Sequence, residues 1–115
     1  MQIVMYHNTR CSKSRQTLQL LQERGVEPGI IEYLKTPPNS EMLERILAML
    51  GMEPRELMRT KEKVYRENGL DNPSLSRDQL IAAMVEHPVL IERPIVINGE
   101  RAALGRPPEN VLAIL

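Results

Sequence analysis

The sequence predicts an α/β fold: a mixed sheet flanked by helices, in the order β-α-β, a helical insertion, then β-β-α. Three observations carry that reading. Apolar runs at Ile3-Val4-Met5-Tyr6 and Gly29-Ile30-Ile31-Glu32-Tyr33-Leu34 bracket a segment with helical spacing, an arrangement that makes the two strands parallel. Residues 36–94 are cut by proline, glycine and asparagine into helical lengths. Ile95-Val96-Ile97, Asn98-Gly99 and Arg101-Ala102-Ala103-Leu104 then read as two strands about a type I′ turn.

Each element has a local cause. The first helix runs from about Ser12 to Arg24, turns Leu18 and Leu21 inward, and stops at Gly25, a residue free to take the left-handed conformation. Strand, helix and strand of this length form a right-handed crossover. Thr36-Pro37-Pro38-Asn39 ends the second strand and leads into a helix from Ser40 to Leu50, with Leu43, Ile46, Leu47 and Leu50 on one face and Gly51 behind it. Pro54 suits the first turn of a short helix through Leu57 and Met58. Another spans about Lys61 to Asn68 and stops at Gly69. Ser76 with Gln79 forms a capping box for a helix carrying Leu80, Ile81, Met84 and Val85, closed by His87-Pro88. After the hairpin, Gly105-Arg106-Pro107-Pro108 opens a final helix with Val111, Leu112 and Leu115 inward.

Length and composition bound the function. The 115 residues suit a single domain, 1–115, with a core that needs no disulfide staples. Fifteen basic residues balance fifteen acidic ones, which leaves no net positive field for nucleic acid or an anionic membrane. Three tyrosines are the only aromatics, too few for a base-stacking platform. The first residues show no leader pattern, and no apolar run approaches the ~18 residues of a membrane span. The expected location is cytoplasmic. Two histidines and one cysteine, far apart in sequence, make no metal site, and no bound cofactor is expected.

The order of elements is that of the thioredoxin-like fold. Two further features agree with it: a cysteine, Cys11, follows the first strand at a helix start, and Pro94 immediately precedes the third strand. In that fold a cis proline there faces the cysteine loop, which makes Pro94 the structural cis-proline candidate and sets Arg93 beside Cys11.

The chemistry gathers at Cys11. A thiol at a helix N-terminus feels the positive end of the peptide dipole and unpaired N–H groups. Lowering its pKa from about 8.5 to about 6.5 takes roughly 2.7 kcal/mol of differential stabilisation. A helix end supplies on the order of 0.3–1 kcal/mol, up to about 2 in a partly buried site. A cation or a hydroxyl donor such as Ser14 must add the remainder. Cationic side chains crowd the loop, at Arg10, Lys13 and Arg15, with His7 before them. His7 either holds the thiolate or orients the loop, or else sits as a satisfied strand-end histidine. With no second cysteine in the chain, any oxidised Cys11 must be resolved by an external thiol. A reductase, a peroxidase and a thiol carrier all meet that condition.

Three arginines discriminate among them. Arg59 follows the Leu57-Met58 helix, Arg93 precedes Pro94, and Arg106 stands in Gly-Arg-Pro-Pro. Arginine stays charged and offers a planar fork of donors suited to a tetrahedral oxyanion. A thiolate beside such groups attacks the central atom of a bound anion with its charge already offset.

At this point the residues show a resemblance. His7-Asn8, Cys11, Ser14-Arg15 and Thr17-Leu18 resemble the active-site opening of the glutaredoxin-coupled arsenate reductases. The likeness continues through Glu27-Pro28, Tyr33-Leu34, Pro37-Pro38, Leu57 with Arg59, and Gly69-Leu70. It extends to Asp78-Gln79-Leu80-Ile81, His87-Pro88, Arg93-Pro94-Ile95-Val96, Arg106-Pro107 and Val111-Leu112. Cys-Ser-Lys-Ser-Arg is most similar to a shorter, arsenate reductase-like branch; family members commonly have proline where this chain has Thr9.

The resemblance implies that Cys11 is the nucleophile, that Arg59, Arg93 and Arg106 bind arsenate, and that His7, Ser14 and Arg15 support the thiolate. It implies glutathione as co-substrate and glutaredoxin as the partner that clears the mixed disulfide. Two other readings compete: a glutathione-linked thiol oxidoreductase that does not use arsenate, and a thioredoxin-like regulatory binding protein of the kind that contacts RNA polymerase. Such regulators typically use a Cys-x-x-Cys switch, and here Ser14 holds the second place.

Overall fold

The computed structural model describes residues 2–115; Met1, which begins the stretch read above for a leader, lies outside them. The chain forms two compact units, one of residues up to Thr36 with Arg93–Leu115, the other Pro37–Glu92.

The first unit holds the sheet. Its strands β1 (Ile3–His7), β2 (Gly29–Glu32), β3 (Ile95–Asn98) and β4 (Arg101–Leu104) lie in the order β2-β1-β3-β4. β1 runs parallel to β2, with Val4 opposite Gly29 and His7 opposite Glu32. β1 is antiparallel to β3, pairing Ile3 with Asn98 and Tyr6 with Ile95, and β3 is antiparallel to β4. This parallel half joined to an antiparallel half is the thioredoxin-like arrangement.

Helix α1 (Ser12–Glu23) makes the crossover from β1 to β2 and buries Ser14, Thr17 and Leu21. It ends in a Schellman motif: Gly25 has φ 78°, its N–H donates to Gln22 O, and Val26 N donates to Leu21 O. Met5, Leu21, Val96, Val111 and Ile114 form the core of this unit, with Leu18 and Val26 packed around it. β2 is two residues shorter than expected, because the N–H groups of Lys35 and Thr36 both donate to Glu32 O and close a turn there.

Two expectations for the tail change. Asn98 pairs with Arg101, so the hairpin loop is Gly99-Glu100, and Gly99 alone has positive φ. A type I′ turn requires positive φ at both loop residues; glycine in the first place is the type II′ pattern. The last helix, Pro108–Ile114, is 3-10 rather than α. With three residues per turn, Pro108, Val111 and Ile114 share the inward face. Leu115, expected inward, is 42% exposed, and Ile114 takes its place in the core. The Asn98 side chain donates to Ile114 O at 2.7 Å and ties this helix to the hairpin.

The second unit is helical. Helix α2 (Ser40–Leu50) starts where the Asn39 side chain accepts Met42 N–H at 2.8 Å, and it buries Leu43, Ile46 and Leu47. Helix α3 (Pro54–Leu57) follows, then α4 (Lys63–Glu67), which starts later than expected because Glu62 N donates to Arg59 O in a turn. Helix α5 (Arg77–Glu86) carries the Ser76–Gln79 capping box and buries Leu80, Ile81 and Met84. A short 3-10 turn, Pro88–Leu90, leads to an antiparallel bridge between Ile91 and Met58.

Candidate active site around Cys11

Cys11 is the N-cap residue of α1, with extended backbone (φ −91°, ψ 123°) and a partly exposed side chain. The loop before it is held from within. Cys11 N donates to Asn8 O at 3.0 Å, Arg10 N to the Asn8 side-chain oxygen at 3.0 Å, and Arg15 N to Cys11 O at 3.0 Å. Below the loop, the fully buried Ser14 hydroxyl accepts Asn8 N–H at 3.1 Å and lies 2.6 Å from His7 Nδ1. A hydroxyl oxygen has one hydrogen and two lone pairs, so it serves both neighbours at once.

Burial pushes the Cys11 thiol up, yet the balance is downward. The backbone N–H of Ser14, the Arg93 guanidinium and the backbone N–H of Lys13 all favour the thiolate, and the Arg93 charge adds to them. The cation that supplements the helix end is therefore Arg93, some eighty residues away in sequence, rather than one of the loop's own charges. Arg10 and Lys13 are exposed, and the exposed Arg15 donates from its guanidinium to Thr9 O at 3.0 Å. His7 is lowered by burial first; Glu32 opposes that shift and Arg15 adds to it. The buried His7 imidazole thus lies against Ser14 beneath the loop, in a setting that favours its neutral form.

The Arg93–Pro94 peptide bond is cis, and so is Arg106–Pro107. Gly105 N donates to Pro94 O at 2.9 Å, which lays the 105–106 segment along 93–94, and Arg106 Nη1 donates to Arg93 O at 3.2 Å. Arg93 Nε and Nη1 are buried, and neither has a hydrogen-bond partner. Buried guanidinium N–H groups without acceptors are costly and leave this arginine open to an acceptor such as an oxyanion or water.

Arg59 belongs to the helical unit. Its Nη1 donates to Glu92 Oε1 at 2.7 Å, and its Nε stands 4.0 Å from Glu62 Oε1. Main-chain bonds on either side of the Met58–Ile91 bridge hold this pair in register: Arg59 N to Leu90 O and Glu92 N to Leu57 O. Glu92, absent from the sequence reading, is the partner that only strand pairing between distant segments reveals. Asn8, Thr17 and Gly105 also pack or hydrogen-bond around the cysteine loop and the 93–94 segment, and of these the first two stand in the family-like opening. His87 closes α5, donating its N–H to Ala83 O. Among the described residues no group of three or more His, Cys, Asp or Glu side chains could hold a metal ion. None of their helices is long and apolar enough to cross a membrane.

Comparison with known proteins agrees with this geometry. The model of the ArsC family matches residues 6–114. The chain is 54% identical over 115 residues to the uncharacterized protein YfgD of Escherichia coli K12, covering 99% of this chain and 97% of that one. It is 49% identical over 115 residues to an arsenate reductase of Neisseria meningitidis serogroup A, covering 99% and 98%. The solved structure of an arsenate reductase from Vibrio cholerae matches with a TM-score of 0.97 and 53% identity, over 100% of this chain and 98% of that one. The family match over residues 6–114 and the full-length likeness lead to one conclusion: the chain belongs to the ArsC family.

Proposed function

We propose that the protein reduces arsenate to arsenite through Cys11, with external thiols as reductants. One observation carries the reading: the Arg93 guanidinium supports the Cys11 thiolate while its Nε and Nη1, buried, lack acceptors. A thiol oxidoreductase acting on disulfides needs no such anion site. Arg106, built against the Arg93 carbonyl, supplies the second fork. Arg59 is the third oxyanion ligand that the family resemblance implies. His7, Ser14 and Arg15 act on the loop rather than on substrate.

The chemistry balances as follows. The Cys11 thiolate attacks arsenic of dihydrogen arsenate, one proton is taken up, water leaves, and a sulfur–arsenic(V) bond forms. A thiol of the glutathione type then attacks the Cys11 sulfur. The sulfur–arsenic bonding pair stays on arsenic, which leaves as arsenite, and Cys11 is left in a mixed disulfide. The two sulfurs are oxidised by the two electrons that arsenic gains. Glutaredoxin, or an equivalent thiol, clears the mixed disulfide, since the chain offers no second cysteine. A reducing compartment such as the cytoplasm suits this cycle.

The test is arsenate-dependent NADPH oxidation with glutathione, glutaredoxin and glutathione reductase. Turnover that vanishes in Cys11→Ser supports the reading. A rate no higher than that of Cys11→Ser sinks it.

A further inference from the structure

Gly105 sits where the nucleophile's helix meets the cis-proline segment, and there is no room at that point for a side chain. A Cβ on Gly105 would stand 2.6 Å from Thr17 Oγ1, 2.8 Å from Pro94 Cγ and 3.1 Å from Thr17 Cγ2. Real Cβ atoms essentially never approach other atoms below 3.0 Å. The backbone itself does not demand glycine here, because Gly105 is not among the positive-φ residues. The need for glycine is one of space alone.

The surroundings cannot yield cheaply. Thr17 is fully buried, and its hydroxyl donates to Lys13 O at 2.8 Å within α1 while standing 3.5 Å from Gly105 O. Pro94 is buried and is held by the Gly105 N–H to Pro94 O bond at 2.9 Å. Thr17 lies six positions after Cys11 on the same helix, Arg93 precedes Pro94, and Arg106 follows Gly105. The contact thus ties together the three segments that carry the nucleophile and two candidate oxyanion ligands.

We propose that Gly105 is a spacer whose missing side chain lets α1, at Thr17, pack closely against Pro94, and so fixes the Cys11 sulfur relative to the Arg93 guanidinium. Gly105 is thus a positioning residue, and Thr17 is the surface it meets. The inference rests on Cys11 being the reactive thiol but not on arsenate being its substrate. A wedge of a few tenths of an ångström between Thr17 and Pro94 lengthens the approach of sulfur and guanidinium, and charge-assisted contacts weaken steeply with such misplacement.

The experiment measures iodoacetamide alkylation of Cys11 against pH, without arsenate, in Gly105→Ala, Thr17→Ala and the double variant, with circular dichroism and melting curves alongside. Gly105→Ala is expected to move the alkylation midpoint upward by about 0.5–1 pH unit, which slows alkylation well below the midpoint by about three- to tenfold. Thr17→Ala leaves glycine in place and keeps the wild-type midpoint. The double variant removes two of the three close contacts and falls between them. A folded Gly105→Ala with the wild-type midpoint overturns the proposal, as does a double variant displaced as far as Gly105→Ala. If Gly105→Ala does not fold, the double variant is read against Thr17→Ala. A higher midpoint, from the Pro94 contact that remains, supports the spacer; an identical one overturns it. Because no arsenate is present, loss of arsenate turnover in the wild type leaves this result standing.

Discussion

Arg106 donates from its guanidinium to the main-chain carbonyl of Arg93 at 3.2 Å, so one candidate oxyanion ligand is built on the backbone of another. The two arginines have different duties. In the proposed mechanism Arg93 serves both sulfur and anion, whereas Arg106 serves the anion alone. Arg106→Ala is therefore expected to raise the arsenate KM by about ten- to a hundredfold, the cost of a lost charge-assisted contact. The alkylation midpoint of Cys11 should stay near wild type. Steady-state kinetics and thiol titration on one preparation check both.

Arg93 should show the opposite pattern. With Met in its place the thiolate loses its supporting cation while burial still opposes ionisation. Arg93→Met is expected to move the alkylation midpoint upward and to abolish detectable arsenate turnover. Retention of the wild-type midpoint would contradict the assignment of Arg93 as the thiolate's cation.

His7 gives the site a pH dependence of known sign. Burial holds its folded pKa below the unfolded value, so between the two the unfolded chain binds more protons. Stability is thus fully present above the ordinary histidine pKa, about 6.5, and declines as pH falls through the folded one. Denaturant midpoints between pH 5 and 7.5 should fall on the acid side in wild type, with a smaller fall in His7→Gln. Equal slopes in the two proteins would count against the buried neutral imidazole.

The terminal 3-10 helix separates two adjacent apolar residues sharply. Ile114 is 6% exposed and sits in the core cluster, whereas Leu115 is 42% exposed. Ile114→Ala is expected to cost about 2–4 kcal/mol of unfolding free energy and Leu115→Ala about 0.5 or less, measured by urea denaturation. The difference follows from the helix period, since an α-helix through Val111 places Leu115, four residues on, inward.

That pair also shows what the sequence disclosed and what it hid. Helix α2 was legible to the residue, because Asn39 and Gly51 bound it and its apolar spacing is regular. The parallel and antiparallel halves of the sheet followed from element order. The tail misled because two prolines and a short run of apolar residues fit both helical periods; only packing on Met5 and Val96 selects period three. At the candidate site, the places of Cys11 and Arg93 were legible from a helix start and a proline before a strand. Ser14 was half visible: the sequence offers its hydroxyl as a donor to the thiol, yet its hydrogen bonds go to Asn8 and His7. The Glu92 partner of Arg59 was invisible, because 33 positions separate them and a single bridge at Met58 and Ile91 joins their segments.

In the proposed function an oxyanion meets the buried Nε and Nη1 of Arg93, which links its binding to the protein's stability. A buried donor left without an acceptor costs about 1–3 kcal/mol, and the proposed anion is an acceptor. Arg93→Met, inert as a catalyst, should accordingly melt higher than wild type in buffer without oxyanions, and arsenate should raise the melting temperature of wild type only. On that proposal, stability is traded at Arg93 for the capacity to receive a ligand, and binding returns it.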